Sequence, residues 1–211
     1  MTQRVLIASL VLLAATVLSI VTIDGPIAVA ATHVAPTLKQ FALSFTNVLE
    51  IVFLFSISKF ASGALVLVVA AALAPVRRLR AVSWTLAFAG SAQLLTRLVA
   101  GVLKNAFLRS RPFEALADGS WSDQFFATAG SSFPSGHAAH FWGFFFALAL
   151  VMPRRRWWLL PITLLLSIAR VLVNDHYVSD ILASATLAAA ITSALAPFFV
   201  HRVLSARRSS A

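Results

Sequence analysis

Apolar residues run in long blocks along this chain, with polar residues falling between the blocks rather than alternating with them. Crossing a bilayer core of about 30 Å takes about 20 residues of apolar helix. The blocks that approach this length are Val5–Ile23, Ile57–Ala74, Val82–Leu103, Ser135–Met152, Trp157–Val173 and Asp180–Phe199. The pattern predicts an all-α polytopic membrane protein with six transmembrane helices. Within 41–56, Phe41, Phe45, Val48, Val52 and Phe55 recur at steps of four and three, one helical stripe. Glu50 and Lys59 make 41–74 a poor single span, so 41–56 reads as an additional interfacial helix on the outer side. The competing reading is one long tilted helix. Arg4, the apolar run and Ala28-Val29-Ala30 also resemble a signal peptide with an A-x-A site. The run of 19 residues from Val5 to Ile23 exceeds an h-region of about 7–15 residues, so a span is expected instead.

Composition strengthens this picture. Of 211 residues, 60% are hydrophobic and 11% charged, against about 25% charged in soluble domains; mean hydropathy is +0.89. A soluble globule, a disordered chain and a nucleic-acid-binding module are excluded, despite a net charge of +10. Cysteine is absent, which removes disulfides and thiolate metal sites. No repeat of about 20–50 residues is visible, so 1–211 reads as a single domain. The charge is informative about topology instead. Arg4, Arg77, Arg78, Arg80, Arg154–Arg156, Arg202, Arg207 and Arg208 carry the whole excess, in alternate connections and at the ends of the chain. The positive-inside rule makes that side cytoplasmic. Both termini are then inside, and segments 24–56, 104–134 and 174–179 lie outside. A multi-pass protein of a bacterial inner membrane is expected.

Residues able to do chemistry gather at the outer ends of the predicted spans. Lys104 and Arg111 are seven apart, two helical turns, which predicts one helix face carrying both until Pro112 ends the element. Two cations there, with no acid at that spacing, call for an anion between them. Arg109 reads as a snorkelling interfacial side chain. Next, Pro134-Ser135-Gly136-His137 opens the fourth span. A helix start offers unpaired N–H groups to an anion. Ser135 adds a hydroxyl, Gly136 permits close approach, and His137 can carry a proton. Finally, His176 and Asp180 stand one helical turn apart, downstream of Arg170. The carboxylate can fix one imidazole nitrogen and leave the other as nucleophile or base. Each group taken alone also has a plain structural reading as a cap, a solvated loop histidine or a snorkelling cation. His140, one turn below His137, reads as a packed polar residue or a group tuning His137. Arg97, seven before Lys104, reads as a contact to a second phosphate or lipid head group, or as an outward snorkel.

Together, Lys-x6-Arg-Pro, Pro-Ser-Gly-His and Arg-x5-His-x3-Asp, in that order over 104–184, resemble the three-part signature of the type 2 phosphatidic acid phosphatase superfamily, membrane-bound branch. Ala169 and Ser184 depart from it, where the family often has Ser and Gly. The resemblance implies a membrane lipid phosphatase working at the outer face on a lipid phosphomonoester or pyrophosphate. His176 is then the nucleophile that forms a phosphohistidine, His137 the acid and base, and Asp180 the group orienting His176. Lys104, Arg111, Ser135, Gly136 and Arg170 would hold the phosphate oxygens. No metal and no cofactor is implied, because three cations supply the positive charge; His137, His140, His176 and Asp180 are nonetheless a zinc-type set by residue type. The implied partner is the membrane lipid phosphate: undecaprenyl pyrophosphate, phosphatidylglycerol phosphate or phosphatidate, with a lipid A phosphate as the alternative. A lipid-to-lipid phosphotransferase would use the same site. A non-catalytic lipid transporter fits less well, since such proteins carry midplane polar groups and inverted repeats.

Overall fold

The computed structural model describes residues 2–117, 125–127 and 129–210; the rest of the outer segment 104–134, including Ser122, lies outside the described residues. The described residues form helices α1 (Thr2–Thr22), α2 (Asp24–Thr32), α3 (Pro36–Val52), α4 (Ala61–Leu73), α5 (Arg80–Phe107), α6 (Pro112–Ala117), α7 (Gly136–Val151), α8 (Arg156–Leu172) and α9 (Val178–Ser210). No strand occurs among them.

The stretch Arg77–Ala117, which contains α5, and the stretch Val178–Ser209 of α9 are long and apolar enough to cross a membrane. A third crossing counts if Ser9–Thr22 and Asp24–Thr32, which meet at 63°, form one broken span. The apolar α4 and α7 are shorter, at 13 and 16 residues. The first predicted span therefore ends in an unforeseen second helix. Asp24 opens that helix, where an acid suits the positive end of the helix dipole, and its side chain is buried in the protein.

Helix α5 lies at the centre, packed against α4, α7 and α9, while α1 covers α9 and α8 covers α7. The core joins Phe88, Ala89 and Ala92 of α5 to Ala147 and Val151 of α7 and Ala196, Phe199 and Val203 of α9. Small residues let these backbones approach closely, as helix packing in lipid requires. A Cβ at Gly143 would come within 3.0 Å of Thr96 and the Ala92 carbonyl, so α5 and α7 need glycine there.

Helix α3 packs on α8 and shares only Phe45 of the stripe at 41, 45, 48, 52 and 55 with that contact. Phe45, Leu49 and Phe53 meet Phe141, Phe145 and Leu166, with Ala42 and Thr46 also buried. Phe41, Val48 and Val52 face outward instead. Both sides of α3 are apolar, and the stripe at 42, 45, 46, 49 and 53 is the one against the protein. The basic residues collect at one end: Arg80, His201 and Arg202 line one surface groove, and Arg154, Arg155 and Arg207 another. At about 1.5 Å per helical residue, α9 sets Arg202 about 33 Å from Asp180.

Candidate active site

Asp180 lies in the first turn of α9, four residues after His176, which lies in the short α8–α9 connection. Both are buried, and His176 Nδ1 lies 3.3 Å from Asp180 Oδ2. That oxygen also accepts from Ser132 Oγ at 2.5 Å and from the Tyr177 N–H at 2.9 Å. With Nδ1–H donated to Asp180, the lone pair of His176 is on Nε2, which has no hydrogen-bond partner among the described residues. Burial pushes His176 down to about 4, against the upward pull of Asp180, so the imidazole is neutral at neutral pH.

The second oxygen of Asp180 explains Arg109. Its Nη1 donates to Asp180 Oδ1 at 2.7 Å and its Nη2 to Asp24 Oδ2 at 2.8 Å. The guanidinium lies 3.8 Å from the centre of the Tyr177 ring. Asp24 also accepts from the Ser179 N–H at 3.0 Å and from Ser19 Oγ at 2.9 Å. Arg109 is fully buried, and the snorkelling expectation is overturned. Two carboxylates and an aromatic face offer it more than the interface does.

Ser135 caps α7, its Oγ accepting from the Ala138 N–H at 3.3 Å. Its N–H donates to the Asp180 carbonyl at 3.1 Å, and Ser184 Oγ donates to the carbonyls of Ser135 and Asp180, both at 2.8 Å. The starts of α7 and α9 are thereby tied together, with Ser184 supplying part of the tie. His137 follows on α7, its Nε2 donating to Glu50 Oε1 of α3 at 2.6 Å and its ring stacked on Phe55 at 4.4 Å. That hydrogen bond holds the Glu50 carboxyl below the usual carboxylate range. His140 turns away, its Nε2 meeting Gln93 Nε2 at 2.6 Å and Ser62 Oγ at 3.2 Å in a fully buried cluster. The packed reading of His140 fits this geometry. His137 thus turns to Glu50, His140 to Gln93 and Ser62, and His176 to Asp180, and no group of three or more His, Cys, Asp or Glu converges on one point among the described residues.

The cations sit around the same end. Lys104 Nζ donates to the carbonyls of Ser131 and Ser132. Arg111 Nη1 reaches Asp175 Oδ1 at 3.2 Å, and Arg170 pairs with the other oxygen of the same carboxylate. Lys104 and Arg111 do not share a helix face. Helix α5 ends at Phe107 because Leu108 adopts φ 42°, the left-handed conformation, and Pro112 opens α6 instead of closing α5. The chain from Gly130 to Ser132 then folds back on Leu108 and Arg109, with the Ser132 N–H on the Arg109 carbonyl at 2.8 Å. A Cβ at Gly130 would overlap the Leu108 carbonyl at 2.1 Å, so this return needs glycine.

A family model described as the PAP2 superfamily matches residues 84–203, from α5 into α9, which takes in Lys104, Arg111, Ser135–His137, Arg170, His176 and Asp180. The chain belongs to the PAP2 superfamily. This PAP2 chain is also similar to two curated proteins named lipid A 1-phosphatase, from Rhizobium etli and Rhizobium johnstonii. Each is 38% identical over 104 residues, or 48% of this chain and 45% and 43% of theirs. The matched stretch spans less than half the length of either relative.

Four residues of the site were not assigned a role from the sequence: Asp24, Glu50, Ser132 and Asp175. Two left a signal. Glu50 is an acid inside an apolar block, and Asp24 is an acid between two apolar runs. Charges placed so expensively are rarely idle in a membrane protein. Asp175 is the anion that the Arg111 and Arg170 side chains hold in this structure.

Proposed function

We propose that this PAP2 protein is an integral membrane lipid phosphatase that works through a phosphohistidine on His176. The observation that carries the reading is His176 itself: buried, neutral, held at Nδ1 by Asp180, with Nε2 free to attack. Nε2 attacks phosphorus as the bond to the lipid oxygen breaks, and His137, entering as the imidazolium with Nε2–H on Glu50, gives that oxygen the proton of Nδ1. Asp180 and Arg109 hold the phosphorylated ring in place. His137 then takes a proton from water, which displaces phosphate and returns His176 to its neutral form. The phosphate replaces the Asp175 carboxylate at Arg111 and Arg170, with Lys104, Ser135 and the N–H of Gly136 around the remaining oxygens. In this scheme the three cations do the work a metal does elsewhere, and no metal is needed.

In the membrane, α1 with α2, α4, α5, α7, α8 and α9 make six crossings, and α3 lies in the outer interface. The basic end faces the cytoplasm with both termini, and the site faces the periplasm of an inner membrane. The apolar groove between α3 and α8, lined by Leu38, Phe41, Phe45, Ile168, Ala169 and Leu172, supports lateral access for a lipid tail. The name of both relatives makes a lipid A 1-phosphate the first substrate to assay, ahead of undecaprenyl pyrophosphate, phosphatidylglycerol phosphate and phosphatidate. Purified protein in detergent with EDTA should release phosphate from at least one of these four. Release from none, or activity lost in chelator and restored by Zn²⁺ or Mg²⁺, would overturn the reading.

A further inference from the structure

Arg97 lies on α5, seven residues before Lys104 and about 10.5 Å deeper by helical rise. Its side chain is 9% exposed, which excludes the outward snorkel. Arg109, Arg111 and Arg170 each hold a carboxylate, whereas Arg97 has no carboxylate and no hydrogen-bond acceptor among the described residues. Its Nε is buried without a partner, and its one aromatic neighbour is Phe55, with the ring centre 5.9 Å away. The polar groups nearby do not serve it. Gln93 Nε2, Ser62 and His140 bond to one another, Gln93 Oε1 is turned to Gly63 and has no partner among the described residues, Lys104 carries donors only, and His137 Nε2 is bonded to Glu50. A guanidinium with five donors, buried in low dielectric and facing no acceptor, is an expensive arrangement that folding alone does not favour.

Its position gives the reason. The guanidinium lies directly against Gly136, the first residue of α7: a Cβ there would stand 3.1–3.2 Å from Cζ, Nη1 and Nη2. Glycine at 136 therefore leaves Arg97 beside the first turn of α7, where helical N–H groups lack intrahelical acceptors. A buried cation and a helix start converge on one place from different elements, next to His137. That pairing suits a phosphate oxygen.

We propose that Arg97 is a further phosphate-binding residue, its guanidinium holding an oxygen of the reacting phosphate from beneath the first turn of α7. The role extends the phosphatase reading above and rests on it. It assigns Gly136 a second task, since any side chain there would push Arg97 off the anion. It also predicts an unusual split between stability and function. An arginine kept for folding loses stability when removed. One kept for a ligand leaves the empty protein no worse, or better, without it.

The test uses the full-length protein in detergent, with Arg97→Met as the variant of similar reach without charge and Arg97→Lys as the conservative one. Vanadate is the probe, read both as an inhibitor of lipid phosphate hydrolysis and as a ligand that raises the unfolding temperature. For Arg97→Met, kcat/KM is expected to fall by about 10²–10³-fold, the usual cost of removing one oxyanion donor. The vanadate inhibition constant should rise at least about ten-fold on the same ground. The unfolding temperature without ligand should not fall, the upward shift given by vanadate should shrink, and Arg97→Lys should recover part of each loss. Unchanged kcat/KM and vanadate affinity in Arg97→Met would overturn the proposal. So would losses accompanied by a lower unfolding temperature of the unliganded protein, which would make Arg97 structural. If the wild type hydrolyses no lipid phosphate yet is stabilised by vanadate through Arg97, the phosphatase reading fails while the anion site stands.

Discussion

Glu50→Gln isolates the charge that α3 presents to His137. The variant keeps the size and an acceptor oxygen and removes only the negative charge. Glu50 Oε1 and His137 Nε2 are 2.6 Å apart, with side chains 24% and 16% exposed. A hydrogen bond to a charged group contributes about 1.5–3 kcal/mol, and partial exposure reduces this to about 1–2 kcal/mol. If the carboxylate steadies His137 as it takes up and gives out the proton, the loss appears in the barrier. At about 1.4 kcal/mol per decade, kcat falls by about 5–30-fold. Glu50→Ala loses the acceptor as well and should fall further, so the expected order is wild type, Gln, Ala. KM should change less than kcat, because Glu50 is bonded to His137 and acts on Arg170 only through space. The assay is initial-rate phosphate release from the preferred lipid in detergent, with unfolding temperature measured alongside. A kcat for Glu50→Gln within two-fold of wild type would refute the reasoning, and so would an equal loss in both variants explained by unfolding.

Asp24→Asn should destabilise the protein without touching the proposed reacting groups. Removing one member of a buried ion pair costs about 3–5 kcal/mol, and Arg109 retains Asp180, so the lower end is expected. At about 2–4 °C per kcal/mol for a chain of this size, the midpoint in detergent should drop by about 6–12 °C; an unchanged midpoint would show the network to be dispensable. Stability should also depend on pH through His176. Its folded value, about 4, lies below an unfolded value of about 6.5. The unfolded chain binds the extra proton between these values, so stability is full above about pH 6.5 and is lost as pH falls towards 4. His176→Gln should flatten that slope in thermal melts, and an identical slope would assign the acid sensitivity elsewhere. Sidedness is open to cysteine labelling, since the chain has no native cysteine. His33→Cys should react with an impermeant maleimide in intact spheroplasts and Arg78→Cys only after lysis, both side chains being exposed; the reverse pattern would place the site in the cytoplasm.

The sequence showed the site best where its residues are close in the chain and bound to one helix start. His176 and Asp180 meet at one turn, and Ser135 does cap α7, because each arrangement depends only on local helical geometry. Spacing failed where a single residue redirected the chain. Lys104 and Arg111 were expected on one face, but the left-handed Leu108 ends α5 between them. Long-range partners were not legible at all: Asp24 meets Arg109 85 residues away and Glu50 meets His137 87 residues away. In both, one partner looked like an ordinary interfacial or helical charge until tertiary packing supplied the other. Apolar blocks likewise marked the helices but did not tell which face packs, since the outward and the protein-facing sides of α3 both carry apolar residues.

The phosphohistidine is the step on which everything else depends. Protein incubated in EDTA with a substrate carrying ³²P in its phosphate, then quenched in alkaline detergent, should carry label that survives base and is lost in acid. Peptide mapping should place that label on His176, and His176→Ala should show neither label nor turnover while keeping the wild-type unfolding profile at neutral pH. Full-rate phosphate release with no labelled protein, or label that persists in His176→Ala, would contradict the assignment of His176 as nucleophile.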